Sequence, residues 1–231
     1  MSGIHTNETA IALEGDLELL SFIESSLYTA VISDALDELG IREQAMREYL
    51  RPLSPDTVFA GWARTICCVD IYDLEQDPYS TEIEAIDSLL PGEVAVVSTG
   101  ESKRNAPWGE LLSTASRARG ARGAVIDGLV RDVRKILDLG FPVFAAGIKP
   151  VDSKGRGVVW KYNVPVICGG VLVSPRDLIV ADFDGVVSVP AQHVKRTIEL
   201  ATNKASREDS SRGELMKGAY LRDVFAKYGV L

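Results

Sequence analysis

An arginine followed directly by an aspartate, Arg131-Asp132, is the pair in this 231-residue chain best suited to chemistry. A guanidinium presents a planar fork that matches a carboxylate. The adjacent aspartate supplies an oxygen that can hold a hard cation. The pair follows the apolar run Gly123-Ala-Val-Ile126, which reads as a strand, and a turn carrying Asp127 and Gly128. Val133, Ile136 and Leu137 then fall on one helical face that Gly140 closes. Arg131 and Asp132 are therefore expected where a strand gives way to a helix. The local pattern alone also fits an ordinary arginine-aspartate contact in a turn.

A second candidate lies upstream. Gly100 to Pro107 reads as a loop that leads into Trp108-Gly109-Glu110-Leu111-Leu112. Leu111, Leu112, Ala115 and Ala118 define a helical face, and Gly120 stops it. The exposed N–H groups of a first helical turn favour an anion such as a carboxylate. A glycine just before that turn lets a ligand approach the backbone closely. Every helix has such an end, so a plain loop-to-helix junction is the competing reading.

Composition limits what these residues serve. The net charge is −8 and the pI about 4.9, which argues against a binder of the phosphate backbone of nucleic acid. A small anionic ligand needs only one local arginine. Cys67, Cys68 and Cys168 show no C-x-x-C or Cys/His metal spacing and read as buried thiols. No apolar run reaches ~18 residues, so no membrane span is expected and the chain reads as cytoplasmic. His5 and His193 fall outside both candidate segments.

The remaining elements must carry these two segments. Residues 1–26 read as a loose N-terminal arm running into a helix start. An α/β domain is expected over residues 27–203. It opens with a helix from Leu27 to Gly40, whose polar side holds Asp34, Asp37 and Glu38. Val58 to Asp70 reads as one or two strands with a break at Gly61. Glu82 to Leu90 is a short amphipathic helix, and Glu93 to Thr99 a strand buried on both faces. Phe141 to Ala146 is a strand, and Gly147 to Tyr162 an exposed loop ending in strand-forming residues. Val164 to Val173 is strand, glycine break, strand; Leu178 to Val189 is a hairpin turning at Asp182-Phe-Asp-Gly185. Pro190 opens a helix. Residues 204–231 form a charged helical tail, a poor contributor to its own core that is expected to pack on a neighbouring subunit.

Six of these segments, in order, resemble one family: the class II pyruvate aldolases of the 4-hydroxy-4-methyl-2-oxoglutarate type, with the related regulator of ribonuclease activity A. They are Val31–Gly40, Asn105–Leu112, Val125–Asp132, Gly140–Phe144, Cys168–Val171 and Asp177–Pro190. The resemblance implies a compact swivelling-type β/β/α domain with mixed sheets and flanking helices. It also implies assembly as a homotrimer or a dimer of trimers. In that family an acid at a helix start precedes an Arg-Asp pair by 21 positions, the spacing between Glu110 and Arg131. By resemblance, Asp132 ligates Mg2+ or Mn2+. Arg131, with Gly109 and the N–H groups of Leu111 and Leu112, holds the 2-oxo acid. Glu110 acts through a water on the metal, and Glu208 is the positional match for an acid supplied by an adjacent subunit.

The implied reaction is a metal-dependent retro-aldol cleavage of a 4-hydroxy-2-oxo acid to pyruvate and a second carbonyl compound. Oxaloacetate decarboxylation is open to the same site, because it passes through the same enolate. One departure stands out: where the aldolase pattern continues Arg-Asp-x-x-acid, this chain has Lys135. That charge reversal keeps a second reading open, a non-catalytic, protein-binding regulator on the same fold. A methyltransferase is not supported, because no G-x-G-x-x-G lies between a strand and a helix.

Overall fold

A computed structural model describes residues 16–73 and 76–230. The expected arm over the first fifteen residues lies outside them. The chain begins with helices α1 (Asp16–Ser26) and α2 (Thr29–Glu38). It continues through β1 (Arg51–Pro52), β2 (Phe59–Asp70), α3 (Ser80–Asp87), β3 (Glu93–Ser98), α4 (Glu110–Ala118) and β4 (Gly123–Val130). Next come α5 (Val133–Leu139), β5 (Val143–Ile148), β6 (Gly157–Tyr162) and the short hairpin β7 (Val166–Cys168) and β8 (Val171–Val173). A second hairpin, β9 (Leu178–Asp182) and β10 (Gly185–Val189), precedes α6 (Val194–Leu215) and α7 (Leu221–Tyr228).

The main sheet runs β1-β5-β4-β3-β2-β9-β10, with β6 also paired to β2. Strands β2, β3, β4 and β5 are parallel, and their crossovers run through α3, α4 and α5. Parallel neighbours need such a return segment, and helices supply it. One segment reaches both ends of this order. Met46 N–H donates to Val186 in β10, and Arg51 pairs with Ala145 in β5. The mixed sheet is thereby nearly closed on itself, the α/β class that the sequence implies.

Alternate residues of the central strands feed different cores. Val94 and Val96 face an interior cluster with Phe59, Phe144 and the β7–β8 hairpin. Ala95 and Val97 face a second cluster under α3, α4 and α5. This double burial explains why Glu93 to Ser98 reads as an unbroken apolar run. A third cluster joins α1, α2 and the first half of α6 to β9 and β10. No single described helix is long and apolar enough to cross a membrane; α1 and α2 pass such a test only as a pair bent by 106°. Their apolar residues Leu20, Ile23, Val31 and Ile32 lie fully inside the third cluster.

Three local expectations change. Of the one or two strands expected over Val58–Asp70 there is one, Phe59–Asp70, with no break at Gly61, which fits against β3 where a Cβ would lie 2.6 Å from a methyl of Val94. Asp127 and Gly128 belong to β4 and not to a turn. The carboxylate of Asp127 is buried and accepts hydrogen bonds from the N–H and hydroxyl of Thr99, at 2.5 and 2.9 Å. In α4 the buried residues are Ser113 and Ser116, and Leu111 is exposed. Ser113 fits inside because its hydroxyl accepts the indole N–H of Trp108 and donates to the Gly109 carbonyl.

The acids of the outer layer serve structural ends. Asp182 accepts the N–H and hydroxyl of Thr29 and so holds the first turn of α2. Asp34 pairs with Lys204 of α6 at 2.7 Å. All three cysteines are free thiols; Cys168 is buried and the other two are partly so. Helix α6 runs unbroken through residue 204 to Leu215, and α7 packs back on it through Val224.

Candidate active site at the ends of β3, β4 and β5

The carboxyl ends of parallel strands are the usual place for ligands in α/β sheets. Here the ends of β3, β4 and β5 are stitched together by backbone hydrogen bonds. Arg131 N–H donates to Trp108 C=O at 2.9 Å, Lys149 N–H to Val130 C=O at 3.0 Å, and Ala106 N–H to Val151 C=O at 2.8 Å. The Lys149 ammonium donates to the carbonyls of Lys103 and Arg104 at 2.8 and 3.2 Å. Buried Trp108 anchors the start of α4 beneath this junction. Thr99, at the root of the same loop, is fixed by Asp127.

Arg131 and Asp132 sit at the top of this junction, between β4 and α5. Asp132 adopts the left-handed region, φ 57° and ψ 28°, which turns the chain sharply into α5. Its side chain is 44% exposed and makes no capping hydrogen bond to the helix. The Nε of Arg131 lies 3.9 Å from Asp132 Oδ2, an ion contact too long for a hydrogen bond. Gly109 packs directly against both residues. A Cβ there would lie 2.9 Å from Asp132 Oδ2 and 3.2 Å from Arg131 Cγ.

The structure thus brings together Gly109, Arg131 and Asp132, with Glu110, Leu111 and Leu112 in the helical turn that follows. The leading N–H groups of α4 have no acceptor within the helix, and Gly109 has no side chain to cap them. Glu110 is half-buried and accepts a hydrogen bond from Thr114 Oγ1 at 2.9 Å. Glu208 lies elsewhere in the subunit, on α6, where the Tyr28 hydroxyl donates to its carboxylate. None of its contacts among the described residues reaches the Arg131 cluster. Lys135 is exposed on α5.

Two residues of this cluster were hidden in the sequence. Arg131 Nη2 forms an ion pair with Asp152 Oδ1 at 3.0 Å, and Tyr79 Oη donates to Asp152 Oδ2 at 2.6 Å. Asp152 sits in the expected exposed loop and Tyr79 at the end of a polar one, so neither carries a local signal. Burial raises the pKa of Asp152, but the bonds from Tyr79 and Lys154 and the charge of Arg131 outweigh it and hold it below its ordinary value. The bond to Asp152 is the largest cause that pushes the Tyr79 hydroxyl up to about 12. Glu82, on the first turn of α3, is pushed up to about 7, mainly by burial and then by the charge of Asp152.

As a metal centre this is a sparse site. Among the described residues no three His, Cys, Asp or Glu side chains converge on one point. That excludes the closed ligand cages typical of structural zinc. It fits Mg2+ or Mn2+, which keep several waters and bind through one or two carboxylates. Asp132, open and uncapped, is the carboxylate available.

Comparison with known proteins identifies the family to which this fold belongs. The family model described as RraA-like, Aldolase/RraA, matches residues 29–188. A Halalkalibacterium halodurans protein, named as a candidate 4-hydroxy-4-methyl-2-oxoglutarate aldolase, is 31% identical over 182 residues, covering 79% of this chain and 81% of its own. The crystal structure of an uncharacterized Pseudomonas syringae protein superposes with a TM-score of 0.82 at 27% identity, covering 92% of this chain and 94% of that one. Streptomyces coelicolor RraAS2, described as an unusual member of the RNase ES inhibitor RraA protein family, gives 0.75 at 30% identity, covering 84% and 96%. With the family model spanning well over half of its length, this chain belongs to the RraA-like family.

Proposed function

We propose that the chain is a divalent-metal-dependent lyase that cleaves a 4-hydroxy-2-oxo acid to pyruvate and a second carbonyl compound. One observation carries this reading. Arg131 and Asp132 stand in contact with Gly109, at the uncapped first turn of α4. A fork of positive charge, free backbone donors and an open carboxylate are what a 2-oxo carboxylate and a hard cation require.

The residues divide the work as follows. The guanidinium of Arg131 and the N–H groups of Leu111 and Leu112 take the substrate carboxylate and its 2-oxo oxygen. Asp132 would hold Mg2+ or Mn2+, which supplies Lewis-acid stabilisation of the charge that develops on that oxygen. Glu110 would receive the proton of the 4-hydroxyl through a water. As that proton leaves, the C3–C4 bond breaks and its electrons pass to the 2-oxo group, giving the pyruvate enolate. Arg131 adds fixed positive charge beside the enolate, and protonation at C3 completes pyruvate. Oxaloacetate decarboxylation uses the same grip and the same enolate.

The active unit in this reading is a homo-oligomer, a trimer or a dimer of trimers, with Glu208 brought to the site from a neighbouring copy. In support, α6 carries Glu208 away from its own Arg131 cluster, and Leu111 beside that cluster is 76% exposed. Mixing Asp132→Ala with Glu208→Gln subunits restores partial activity if this holds; no recovery despite proven exchange removes Glu208 from the site.

The test of the activity is pyruvate release from oxaloacetate and from a panel of 4-hydroxy-2-oxo acids, with Mg2+ or Mn2+ and after chelation. Asp132→Ala abolishes the metal-dependent rate while the circular dichroism spectrum stays unchanged. A fully active Asp132→Ala protein sinks the metal assignment. The competing reading, a protein-binding regulator, draws on Lys135 and on the inhibitor family of the Streptomyces neighbour. A wild-type protein inert across the panel favours it.

A further inference from the structure

We propose that Asp152 is the positioning residue of Arg131, itself locked by Tyr79, so that a brace from outside the Arg-Asp motif aims the guanidinium. The proposal rests on the reading of Arg131 as the substrate grip.

Arg131 needs such a brace. Its side chain is 40% exposed, and a free arginine loses rotamer entropy when it is held in one pose. Asp132 does not hold it, since the 3.9 Å contact is no hydrogen bond and that carboxylate is the one open to a cation. Asp152 does, through a 3.0 Å contact with Nη2. Fixing one terminal nitrogen sets the plane of the fork and leaves the other edge for a ligand.

Asp152 in turn cannot swing. One carboxylate oxygen is on Arg131, and the other accepts the Tyr79 hydroxyl at 2.6 Å and the Lys154 N–H at 3.3 Å. Tyr79 is the residue that immediately precedes α3, and the loop bearing Asp152 is tied to residue 106 by the Ala106–Val151 bond. The brace therefore joins the β2–β3 crossover, the end of β4 and the loop after β5. Charge states favour it: the phenol stays a donor and the carboxylate an acceptor throughout the neutral range. Glu82 faces the same trio, and in its protonated form does not compete with Asp152 for Arg131.

The experiment has two arms. The first measures kcat/KM on oxaloacetate with Mg2+. Asp152→Asn lowers it about 10-fold or more and Tyr79→Phe about 3-fold, yet Asp152→Asn costs under about 2-fold in an Arg131→Lys background. Losses that simply add overturn the proposal, because a merely structural aspartate acts independently of Arg131. The second arm needs no turnover. In 15N-arginine-labelled protein, the side-chain Nε–H signal missing from Arg131→Lys identifies Arg131. That signal is dispersed and slow to exchange in the wild type, and collapses toward the free-arginine position in Asp152→Asn. An unshifted signal overturns the brace whatever the reaction proves to be. A wild type inert on oxaloacetate and on the whole panel of 4-hydroxy-2-oxo acids removes the lyase reading and leaves this arm to decide. Tyr79→Phe, which deletes one hydroxyl, serves the same spectrum if Asp152→Asn fails to fold.

Discussion

Two arginine-carboxylate clusters mark opposite ends of the parallel strands, and they are built differently. At the N-terminal start of β3, Arg64 meets Glu93 with two parallel contacts of 3.1 Å each. Two further donors go to the Ser88 hydroxyl and carbonyl, and the Leu90 N–H donates to Glu93. Both side chains are nearly buried, at 12% and 4% exposure. Beyond the C-terminal end of β4, Arg131 keeps one contact to Asp152 and stays open to solvent beside an uncapped Asp132. The first cluster has spent its donors on the fold. The second holds donors in reserve, and unsatisfied charge held in place is what a ligand site needs. The same two residue types therefore serve stability at one end and, in the proposed function, binding at the other, and burial separates the two.

The largest effect should come from breaking the closed end. Arg64→Met strands the Glu93 carboxylate and costs about 3–5 kcal/mol of stability, the usual result of removing one partner of a buried pair. Denaturant unfolding measures it, and the rate per folded molecule stays at the wild-type level. A matching loss of specific activity would erase the distinction between the two ends. At the open end, Arg131→Lys keeps the charge and loses the fork. It lowers kcat/KM by about 100-fold, comparable with losing an oxyanion donor, and leaves the melting temperature within a few degrees. An unchanged rate would make Arg131 as structural as Arg64.

The smallest effect concerns Glu82, which sits between these extremes. Its pKa is raised by burial from 4.5 to about 7, so the folded chain binds its proton more tightly than the unfolded chain does. Stability therefore falls as pH rises from about 4.5 to 7, and the penalty is full above that window. Glu82→Gln removes the decline. It matches the wild type near pH 4 and is more stable by up to about 2 kcal/mol at pH 8. A pH-independent difference would mean that the carboxyl is not the titrating group.

The sequence carried the elements well where periodicity and punctuation agreed. The face from Leu27 to Leu39 closed by Gly40 is α2, and the Val133-Ile136-Leu137 face closed by Gly140 is α5. It misled where the partner was distant. Asp127-Gly128 has the composition of a turn, but Thr99, 28 residues earlier, satisfies the carboxylate and keeps both residues in the strand. Gly128 is needed there because a Cβ would lie 2.6 Å from the Thr99 hydroxyl oxygen. In α4 the expected apolar face holds in part: Leu112 and Ala115 pack against the core, Leu111 is exposed, and Ser113 takes a fully buried place through Trp108. The Arg-Asp pair and the helix start were visible because local residue types announce them. Tyr79 and Asp152 were not, since 73 residues separate them and only the sheet brings them together.

The left-handed turn at Asp132 bears on how this protein would respond to selection. A side chain there costs about 1 kcal/mol that glycine would not incur, less the extra freedom glycine regains on unfolding. A laboratory campaign for thermal tolerance alone would thus drift toward glycine at this position and discard the one open carboxylate of the site. Heat resistance and the metal affinity proposed for Asp132 would pull on a single codon in opposite directions, and variants enriched by one screen would be depleted by the other.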